Sequence, residues 1–532
     1  MEQFIAKFGD QIEGVLSGFD RLVFRGTLRS LSPRRPQPGR PPIASGMEQY
    51  LWKSRVLFKD YGRHVKGVSE RVREASLKPF HDQGLAVKYL QSSKDDKEHL
   101  ARSLAQQQGI EKGLVCALSI LEPSPSFDHR GMHMVARVRP CQVIYQYQIH
   151  PVVGWMYARI QTWFPFNIQV GVNGREWLAR QMNRARIGYR QVGNCFAQVS
   201  DYPRAQELLQ EQLQTHWVEL LDRIARSLNP LHQEIFQHYP SSYYWTCYQS
   251  EWATDVVFRD EAFLKRLMAR LTRHAVLSYG CTDVMRFFGK RVTMAGQIPK
   301  NFGGALEVDL KKREEGERVK FHLNWNSAKF YDKAYTLVGN VLRAGETTIN
   351  RVSDFRVYRP KEGGPEDELE WRPMRAGIAD LHRRAEVSQK ANQRLMDALA
   401  GVDDSRTIQE LTAGLQKPVL WAGRRVRALR PWGDDHPLLA AVNHGEFFIN
   451  GFRNRHLQAL LYSAPGPSTA EGRRRSAAVS RKLRMLRAHG IIQKVPKTHR
   501  YQVTAAGRSV LLAVLTSART SLNQLDQFAE AA

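Results

Sequence analysis

KFHLNWNSAKFYDKAYTLVGNVLRAGETTIN, residues 320–350, contains two runs that predict strands, with a turn containing Gly339 between them. The reactive side chains of the two runs are Ser327, Lys329, Tyr331, Asp332 and Lys333 on the first, and Arg343, Glu346, Thr348 and Asn350 on the second. A tyrosine, lysines, an arginine and carboxylates on paired strands are the groups of a DNA-processing centre. They also suit the solvated face of an ordinary hairpin, so this stretch alone leaves both interpretations open.

The first strand changes phase in its middle. From Phe321 to Asn326 alternate side chains share a face, and from Ser327 onward the shared set is displaced by one residue. A one-residue shift in a pattern of period two predicts a β-bulge at Asn326–Ser327. Bulges re-aim side chains beside active sites, although many are only architectural.

The pairing SAKFYDK … VLR … ETTIN resembles the YDK … R-x-E core of rolling-circle replication initiators of phages and plasmids. In those families a carboxylate-bound metal polarises a phosphate, and a tyrosine attacks it and becomes linked to the 5′ end. The resemblance implies a catalytic set of Lys329, Tyr331, Lys333, Arg343 and Glu346, with Mg²⁺ or Mn²⁺ bound by Glu346 and Asp332. The nucleophile stays unassigned among Tyr331, Tyr335, Tyr243, Tyr244 and Tyr248.

One departure from that family pattern concerns the second strand. Two residues, Ala344 and Gly345, separate Arg343 from Glu346, where the family pattern has one. In a flat strand the two side chains would then face opposite ways. A bulge at Gly345 would return them to one face, so the resemblance predicts a bulge there.

Composition favours a polyanionic partner. The 532 residues suggest about three domains, and 79 Lys plus Arg against 52 Asp plus Glu give a formal net charge of +27. Such an excess favours nucleic acid, because each phosphate contact releases counterions. The alternative is a basic surface typical of an arginine-rich proteome.

The cysteines, the apolar runs and the N-terminus indicate the cellular compartment. Five scattered cysteines without CxxC spacing argue against a zinc ribbon or a disulfide framework and favour a reducing compartment. No apolar run reaches membrane-spanning length. The amphipathic N-terminus contains acids, unlike a secretory signal. We expect a cytoplasmic protein without a membrane partner, whose oligomeric state the sequence leaves open.

Hydrophobic periodicity predicts an α+β body built on an antiparallel sheet. Residues 3–16 are predicted as a helix, and the Asn173–Gly174 pair as a turn between strands. Residues 374–430 are predicted to be helical and basic. The expected domains are an N-terminal α+β domain (1–230), a middle α+β region with the candidate site (231–358), a basic helical connector (359–440) and a C-terminal domain (441–532).

The C-terminal domain has the pattern helix, helix, helix, hairpin, helix. The first helix begins at Asn454, a short second one covers 467–475, and a third covers 476–490 with its apolar side at Val479, Leu483 and Leu486. This order resembles a MarR-like winged-helix domain. The resemblance implies duplex DNA contacts by Arg481, Lys482, Arg484, Lys494, Lys497, His499 and Arg500. A winged helix used for protein contacts is the alternative.

Other acids and aromatics carry weaker signals. Asp20 and Glu122 border apolar strands, as the acids of RNase H-like nucleases do. Glu251 and Asp255 would share a helical face only if 249–256 were helical. The aromatic run 243–252 suits base stacking or core packing. The absence of Walker, Rossmann, HExxH and GxSxG motifs argues against ATPase, dehydrogenase, zincin and hydrolase functions.

These patterns predict an α+β, multidomain protein with a C-terminal winged-helix domain. The leading hypothesis is a DNA-binding protein of a mobile element or replicon, replication-initiator or transposase-like, that nicks DNA with a divalent metal. It would bind duplex through the winged helix and single strands through the body. A non-enzymatic winged-helix regulator and an RNA-binding protein are the alternatives, so the question of catalysis stays open.

Overall fold

The fold is taken from a computed structural model of the chain. It describes residues 1–32, 42–279, 281–290, 305–309, 318–323, 328–334, 339–361, 364–365, 367–402, 407–443, 447, 452–462, 464, 468–495, 498–518 and 521. The expected bulge at Asn326–Ser327 and the expected contact residue Lys497 lie outside the described residues.

The fold contains both helices and strands and is built around one large sheet. In the described residues this sheet has eleven strands in the order β10-β11-β12-β13-β9-β1-β6-β5-β4-β3-β2. Its strands are β1 (Ile12–Leu28), β2 (Ala86–Tyr89), β3 (Gly113–Arg130), β4 (His133–His150), β5 (Gly154–Gln161), β6 (Ile168–Asn173), β9 (Tyr243–Phe258), β10 (Ala305–Asp309), β11 (Arg318–Leu323), β12 (Ala328–Ala334) and β13 (Val341–Ile349). Its pairs are antiparallel apart from β2–β3, which is parallel. The antiparallel body predicted from the sequence is therefore confirmed.

Helices and short hairpins complete the described chain. The helices are α1 (Glu2–Phe8), α2 (Ala44–Lys53), α3 (Tyr61–Asp82), α4 (Lys97–Gln107), α5 (Gly174–Arg184), α6 (Tyr202–Gln210), α7 (Trp217–Leu228), α8 (His232–Ile235), α9 (Glu261–Ser278), α10 (Cys281–Phe287), α11 (Leu381–Leu399), α12 (Ile408–Ala413), α13 (His436–Val442), α14 (Asn454–Leu461), α15 (Thr469–Ala488) and α16 (Ala505–Ser517). The paired short strands are β7 (Tyr189–Val192) with β8 (Cys195–Val199), β14 (Arg356–Pro360) with β15 (Leu369–Pro373), β16 (Val419–Trp421) with β17 (Arg424–Val426), and β18 (Ile492–Lys494) with β19 (Tyr501–Val503).

Buried apolar side chains form separate clusters. One joins β1, β5 and β6 to α3, α5, α6 and α7, and includes Phe24 and Val170. Another joins β9 and β13 to α1, α9 and α11, and includes Val256 and Leu395. A C-terminal cluster joins α13, α14, α15 and α16. The strongly basic chain thus has ordinary apolar cores.

The sheet continues across the expected boundary at residue 230. β9 pairs with β1 along nearly its whole length, from Ile12 opposite Phe258 to Leu28 opposite Tyr243. The helix α11, expected in a connector, lies against β13 and β9 and buries Arg384 among them. The Arg384 guanidinium donates to Ser250 Oγ, to Cys247 O and to Ile349 O. Residues on both sides of position 230 therefore build one sheet, and α11, beyond position 358, packs against it.

Three local predictions were wrong. The helix expected over 3–16 ends at Phe8, and β1 begins at Ile12. Gly174 makes no hairpin turn: the Asn173 side chain caps α5, accepting hydrogen bonds from Arg175 N at 2.8 Å and Glu176 N at 3.2 Å. The basic stretch 374–430 includes the β16–β17 hairpin besides helices.

The C-terminal region also differs from its predicted pattern. The helices expected over 467–475 and 476–490 are one continuous helix, α15, which Ser468 caps through Glu471 N at 3.2 Å. Its apolar side is as predicted, because Val479, Leu483 and Leu486 are buried. The described order is therefore α14, α15, the β18–β19 hairpin and α16.

Candidate functional site

A polar cavity of about 830 Å³ opens on the large sheet. Its lining comes from β1, β5, β6, β9 and β13, with α4, α5 and the β7–β8 turn at its sides. The charged residues of the lining are Asp20, Arg21, Glu98, Arg102, Glu176, Glu251, Arg343 and Glu346. Polar groups convergent in a concave site are what binding or catalysis requires.

Two bulges set the direction of the side chains at the cavity floor. In the pairing of β1 with β9 the register shifts between Phe19 and Arg21, so that Asp20 and Arg21 both line the cavity. In the pairing of β13 with β9 the register shifts between Arg343 and Gly345. The bulge predicted at Gly345 is therefore present, and Arg343 Nη1 lies 2.7 Å from Glu346 Oε2.

The Gly345 bulge is held by a side chain from α11. Asn392 Nδ2 donates to Gly345 O at 2.9 Å, and its Oδ1 accepts from Thr347 Oγ1 at 2.6 Å. A Cβ atom at position 345 would lie 2.8 Å from Asn392 Cγ, closer than van der Waals contact allows. The bulge therefore requires glycine because the carboxamide takes the space of a side chain.

Arg343 is the centre of a buried charge network. Its side chain is 1% exposed. The guanidinium donates to Asp20 Oδ2 at 3.0 Å and Oδ1 at 3.1 Å, to Asp255 Oδ1 at 2.8 Å and Oδ2 at 3.2 Å, and to Glu346 Oε2 at 2.7 Å. It also donates to Asn194 O at 3.1 Å. Three carboxylates thus share one guanidinium, an arrangement that holds Asp20 and Glu346 in fixed positions.

A second buried arginine joins this network. Arg175, in the first turn of α5, donates from Nη2 to Asp255 Oδ2 at 2.6 Å, and its Nε lies 3.2 Å from Asp20 Oδ1. Within the described chain Arg175 Nη1 has no hydrogen-bond acceptor. Asn194 Nδ2 donates to Asp20 Oδ2 at 2.8 Å. Three acids against two arginines leave the buried cluster one negative charge in excess.

Glu251 is a carboxyl of the cavity whose pKa is raised towards neutrality. Burial raises the pKa of its carboxyl to about 7, and the negative charge of Glu346 acts in the same direction. Arg21 and Arg343 oppose this shift only in part. Gln249 Nε2 donates to Glu251 Oε1 at 2.8 Å, which orients the carboxyl. A carboxyl with such a pKa can both accept and return a proton near neutrality.

This acidic cluster does not fit Mg²⁺ or Mn²⁺ as arranged here. Mg²⁺ needs oxygens converging at about 2.0–2.1 Å, whereas the Arg343 guanidinium stands among the oxygens of Asp20, Asp255 and Glu346 at 2.7–3.2 Å. No three His, Cys, Asp or Glu side chains of the described residues form a group that could hold a metal ion. The metal site predicted at Glu346 and Asp332 stays a prediction, because the side chain of Asp332 is outside the described part of the structure.

The other predicted catalytic residues lie on β12, for which the structure gives strand positions and no side-chain description. The register places Lys329 opposite Thr348 and Lys333 opposite Arg343, with Tyr331 and Asp332 between them. The backbone of this strand therefore runs beside the strand that carries Arg343 and Glu346. Tyr335 lies outside the described residues.

Of the acids that gave weaker signals in the sequence, some belong to the cavity site and one does not. Glu251 and Asp255 are on a strand instead of a helix, and a spacing of four also puts strand residues on one face. Glu122 does not line the cavity. Its carboxylate accepts hydrogen bonds from Arg159 Nη2 at 3.0 Å and from Tyr145 Oη at 2.9 Å. Of the pair Asp20 and Glu122, the structure brings only Asp20 to the site.

The expected DNA-contacting residues are on α15 and the β18–β19 hairpin. Arg481, Arg484, Lys494 and His499 are exposed, whereas Lys482 and Arg500 are half-buried. Sequence analysis missed Arg175, Asn194 and Asn392 because each reaches the site from a distant part of the chain. The Asn-Gly pair before Arg175 was a signal for a helix cap as much as for a turn.

Comparison with protein-family models, with curated proteins and with solved structures found no match to this chain. Among the described residues, no helix is both long and apolar enough to cross a membrane.

Proposed function

We propose that this protein binds duplex DNA through α15, as a replication-initiator or transposase-like protein of a mobile element or replicon. The observation that carries this proposal is the cationic outer side of α15. Arg473, Arg481 and Arg484 are exposed there, and within the described chain none of them has an ion-pair partner. Unpaired arginines suit phosphates and guanine edges.

The geometry of α15 suits the major groove. The helix has 20 residues and is about 30 Å long. Arg473 and Arg484 are separated by about three turns and so lie on one side, with Arg481 beside them. The opposite side packs Val479, Leu483 and Leu486 into the C-terminal core. A helix fixed by one side and cationic on the other can enter a groove.

The order of elements supports a winged-helix interpretation of this region. α14 and α15 are followed by the β18–β19 hairpin and by α16, and the hairpin carries Lys494. A basic hairpin beside a groove-binding helix would contact the DNA backbone. This interpretation stays a proposal, and the continuous α15 departs from the three helices that the family pattern led us to expect.

The test compares two arginine pairs of equal spacing. Arg481→Gln/Arg484→Gln is measured beside Arg223→Gln/Arg226→Gln, in which two exposed arginines of α7 are also three residues apart. Binding to a fluorescent 30-base-pair duplex is followed by anisotropy as salt increases. The α15 pair should lower the magnitude of the log Kd–log[salt] slope by about 1.8, two contacts at about 0.9 each. An unchanged slope and affinity would contradict the proposal, whereas the α7 pair should leave both unchanged.

The second candidate function is strand cleavage in the cavity. It is favoured by Glu251, whose pKa of about 7 suits proton transfer near neutral pH. In such a step a hydroxyl oxygen bonds to the phosphorus as the bond to the 3′ oxygen breaks. Glu251 takes the proton of the attacking hydroxyl and returns it to the leaving oxygen. No part of this step is assigned to a metal.

Cleavage is tested on supercoiled plasmid and on single strands, in Mg²⁺, in Mn²⁺ and in EDTA. Nicking should be lost in Glu251→Gln and should rise with pH as Glu251 loses its proton. Denaturing gels without protease treatment would show a covalent adduct, and Tyr331→Phe tests that tyrosine. Nicking that survives Glu251→Gln and Glu346→Gln would show that the cavity is not the site of cleavage. DNA binding without nicking would leave the non-enzymatic regulator, and preference for RNA would favour the RNA-binding alternative.

A further inference from the structure

A strip of arginines and tyrosines extends from the cavity along one face of the large sheet. In an antiparallel sheet, directly paired residues share a face. The register pairs Arg25 with Thr246 and Gln169, then Gln169 with Arg159, and Arg159 with Tyr145. These five residues therefore form a row across β9, β1, β6, β5 and β4.

The row next to this one reaches the cavity. Val23 pairs with Gly171, Gly171 with Tyr157, and Tyr157 with Tyr147. Tyr157 and Gly171 line the cavity, as does Arg21 two residues before Val23. Arg21 at the cavity and Arg25 are about 14 Å apart along β1, at about 3.4 Å per residue, and the row of Val23 lies between them.

Two arginines of the strip are held against tyrosine rings. The Arg25 guanidinium carbon lies 4.1 Å from the centroid of Tyr248, and that of Arg29 lies 5.1 Å from the centroid of Tyr244. Tyr248 is at a bulge of β9, where the register shifts between Gln249 and Cys247. A cation–π contact holds each guanidinium against its ring and leaves its formal charge without a counterion.

Among the residues that the structure describes, the positive charge of these two arginines has no local counterion. Within the described residues neither Arg25 nor Arg29 forms an ion pair with a carboxylate. Burial lowers the pKa of Arg25, and the like charge of Arg159 acts in the same direction against the opposing effect of Tyr248. Arg159 differs, because Glu122 neutralises it at 3.0 Å. An arginine that is partly buried beside a like charge is stabilised by an anion.

We propose that this strip, from Arg29 to Arg21, binds a single-stranded polynucleotide and leads it into the cavity. Planar rings and guanidinium groups offer surfaces for unstacked bases, while Arg25 and Arg29 offer charge to phosphates. A duplex hides its base faces and would leave the tyrosines without a role. The inference rests on the proposal that the partner is nucleic acid, but it uses a surface separate from α15.

The experiment measures anisotropy with fluorescent dT20, rU20 and the 30-base-pair duplex. Arg25→Gln/Arg29→Gln should weaken single-strand binding about tenfold and lower the magnitude of its salt slope by about 1.4, two contacts at about 0.7 each. Tyr248→Ala should weaken it about fivefold or more through lost stacking. Duplex binding should be unchanged in these variants. Thermal unfolding of each variant confirms that it is folded, and Arg223→Gln/Arg226→Gln is the matched control.

Each outcome decides between the two surfaces. Binding of dT20, of rU20 or of both supports the strip and identifies the strand it takes. Failure of the wild-type protein to bind either, or an unchanged salt slope in folded Arg25→Gln/Arg29→Gln, overturns the inference. Loss of single-strand binding in Arg481→Gln/Arg484→Gln to the same extent would also overturn it, because α15 would then bind both forms. Failure of the α15 variants to alter duplex binding contradicts the proposed function alone.

Discussion

The cavity and the outer side of α15 use arginine in opposite ways. Arg343 is buried and donates to three carboxylates, and Arg175 is buried beside two of the same acids. Arg481 and Arg484 are exposed, and they have no carboxylate partner in the described chain. A buried arginine whose charge is neutralised positions its neighbours, whereas an exposed arginine without a counterion is available to another molecule. The overall charge of +27 therefore says less about binding than the pairing of each arginine does.

Removing the buried cation should have the largest effect. Arg343→Ala leaves Asp20, Asp255 and Glu346 buried together, and breaking a buried ion pair in this way costs about 3–5 kcal/mol. Urea unfolding of the variant should show a loss of that size in the free energy of unfolding. Arg481→Ala should stay within about 0.5 kcal/mol of wild type, as surface substitutions do. Equal losses of unfolding free energy in the two variants would contradict the difference between the two arginine environments.

The bulge that brings Arg343 and Glu346 together gives the next largest effect. In Gly345→Ala the new Cβ would lie 2.8 Å from Asn392 Cγ, so the carboxamide must move and release Thr347 or Gly345. Overpacking of this kind costs about 1–3 kcal/mol. Gly67→Ala is the matched control, since nothing lies within 4 Å of its added Cβ in α3. That substitution should stabilise the protein by roughly 0.5–1 kcal/mol. If Gly345→Ala behaved like Gly67→Ala, Asn392 would not be holding the bulge.

How much the sequence predicts differs between these two regions. The apolar side of α15 and its exposed arginines follow from local periodicity, which needs no knowledge of distant residues. The Gly345 bulge followed from the spacing of Arg343 and Glu346 together with a family resemblance. The partners of Arg343 did not, because Asp20 is 323 residues away in sequence and Asn194 is 149. Asp255 was considered only for the case that 249–256 is helical, and its strand is too uniformly buried to show alternation. Local patterns thus identify a surface helix more readily than a charge network assembled across a sheet.

The last predicted effect is a pH dependence of stability that originates at Glu251. Its pKa is raised from the ordinary value of 4.5 to about 7 in the folded protein, chiefly by burial. The folded state therefore binds a proton more tightly than the unfolded state, and this contribution to stability is fully present below about pH 4.5 and lost as pH rises through about 7. Glu251→Gln keeps a neutral side chain at every pH and lacks that loss. Between pH 5 and pH 8 the melting temperature of wild type should fall by about 2–4 °C more than that of Glu251→Gln. The exposed Glu13→Gln should follow wild type. Parallel curves for wild type and Glu251→Gln would show that Glu251 is ionised throughout, which would also remove it as the proton carrier of the cavity.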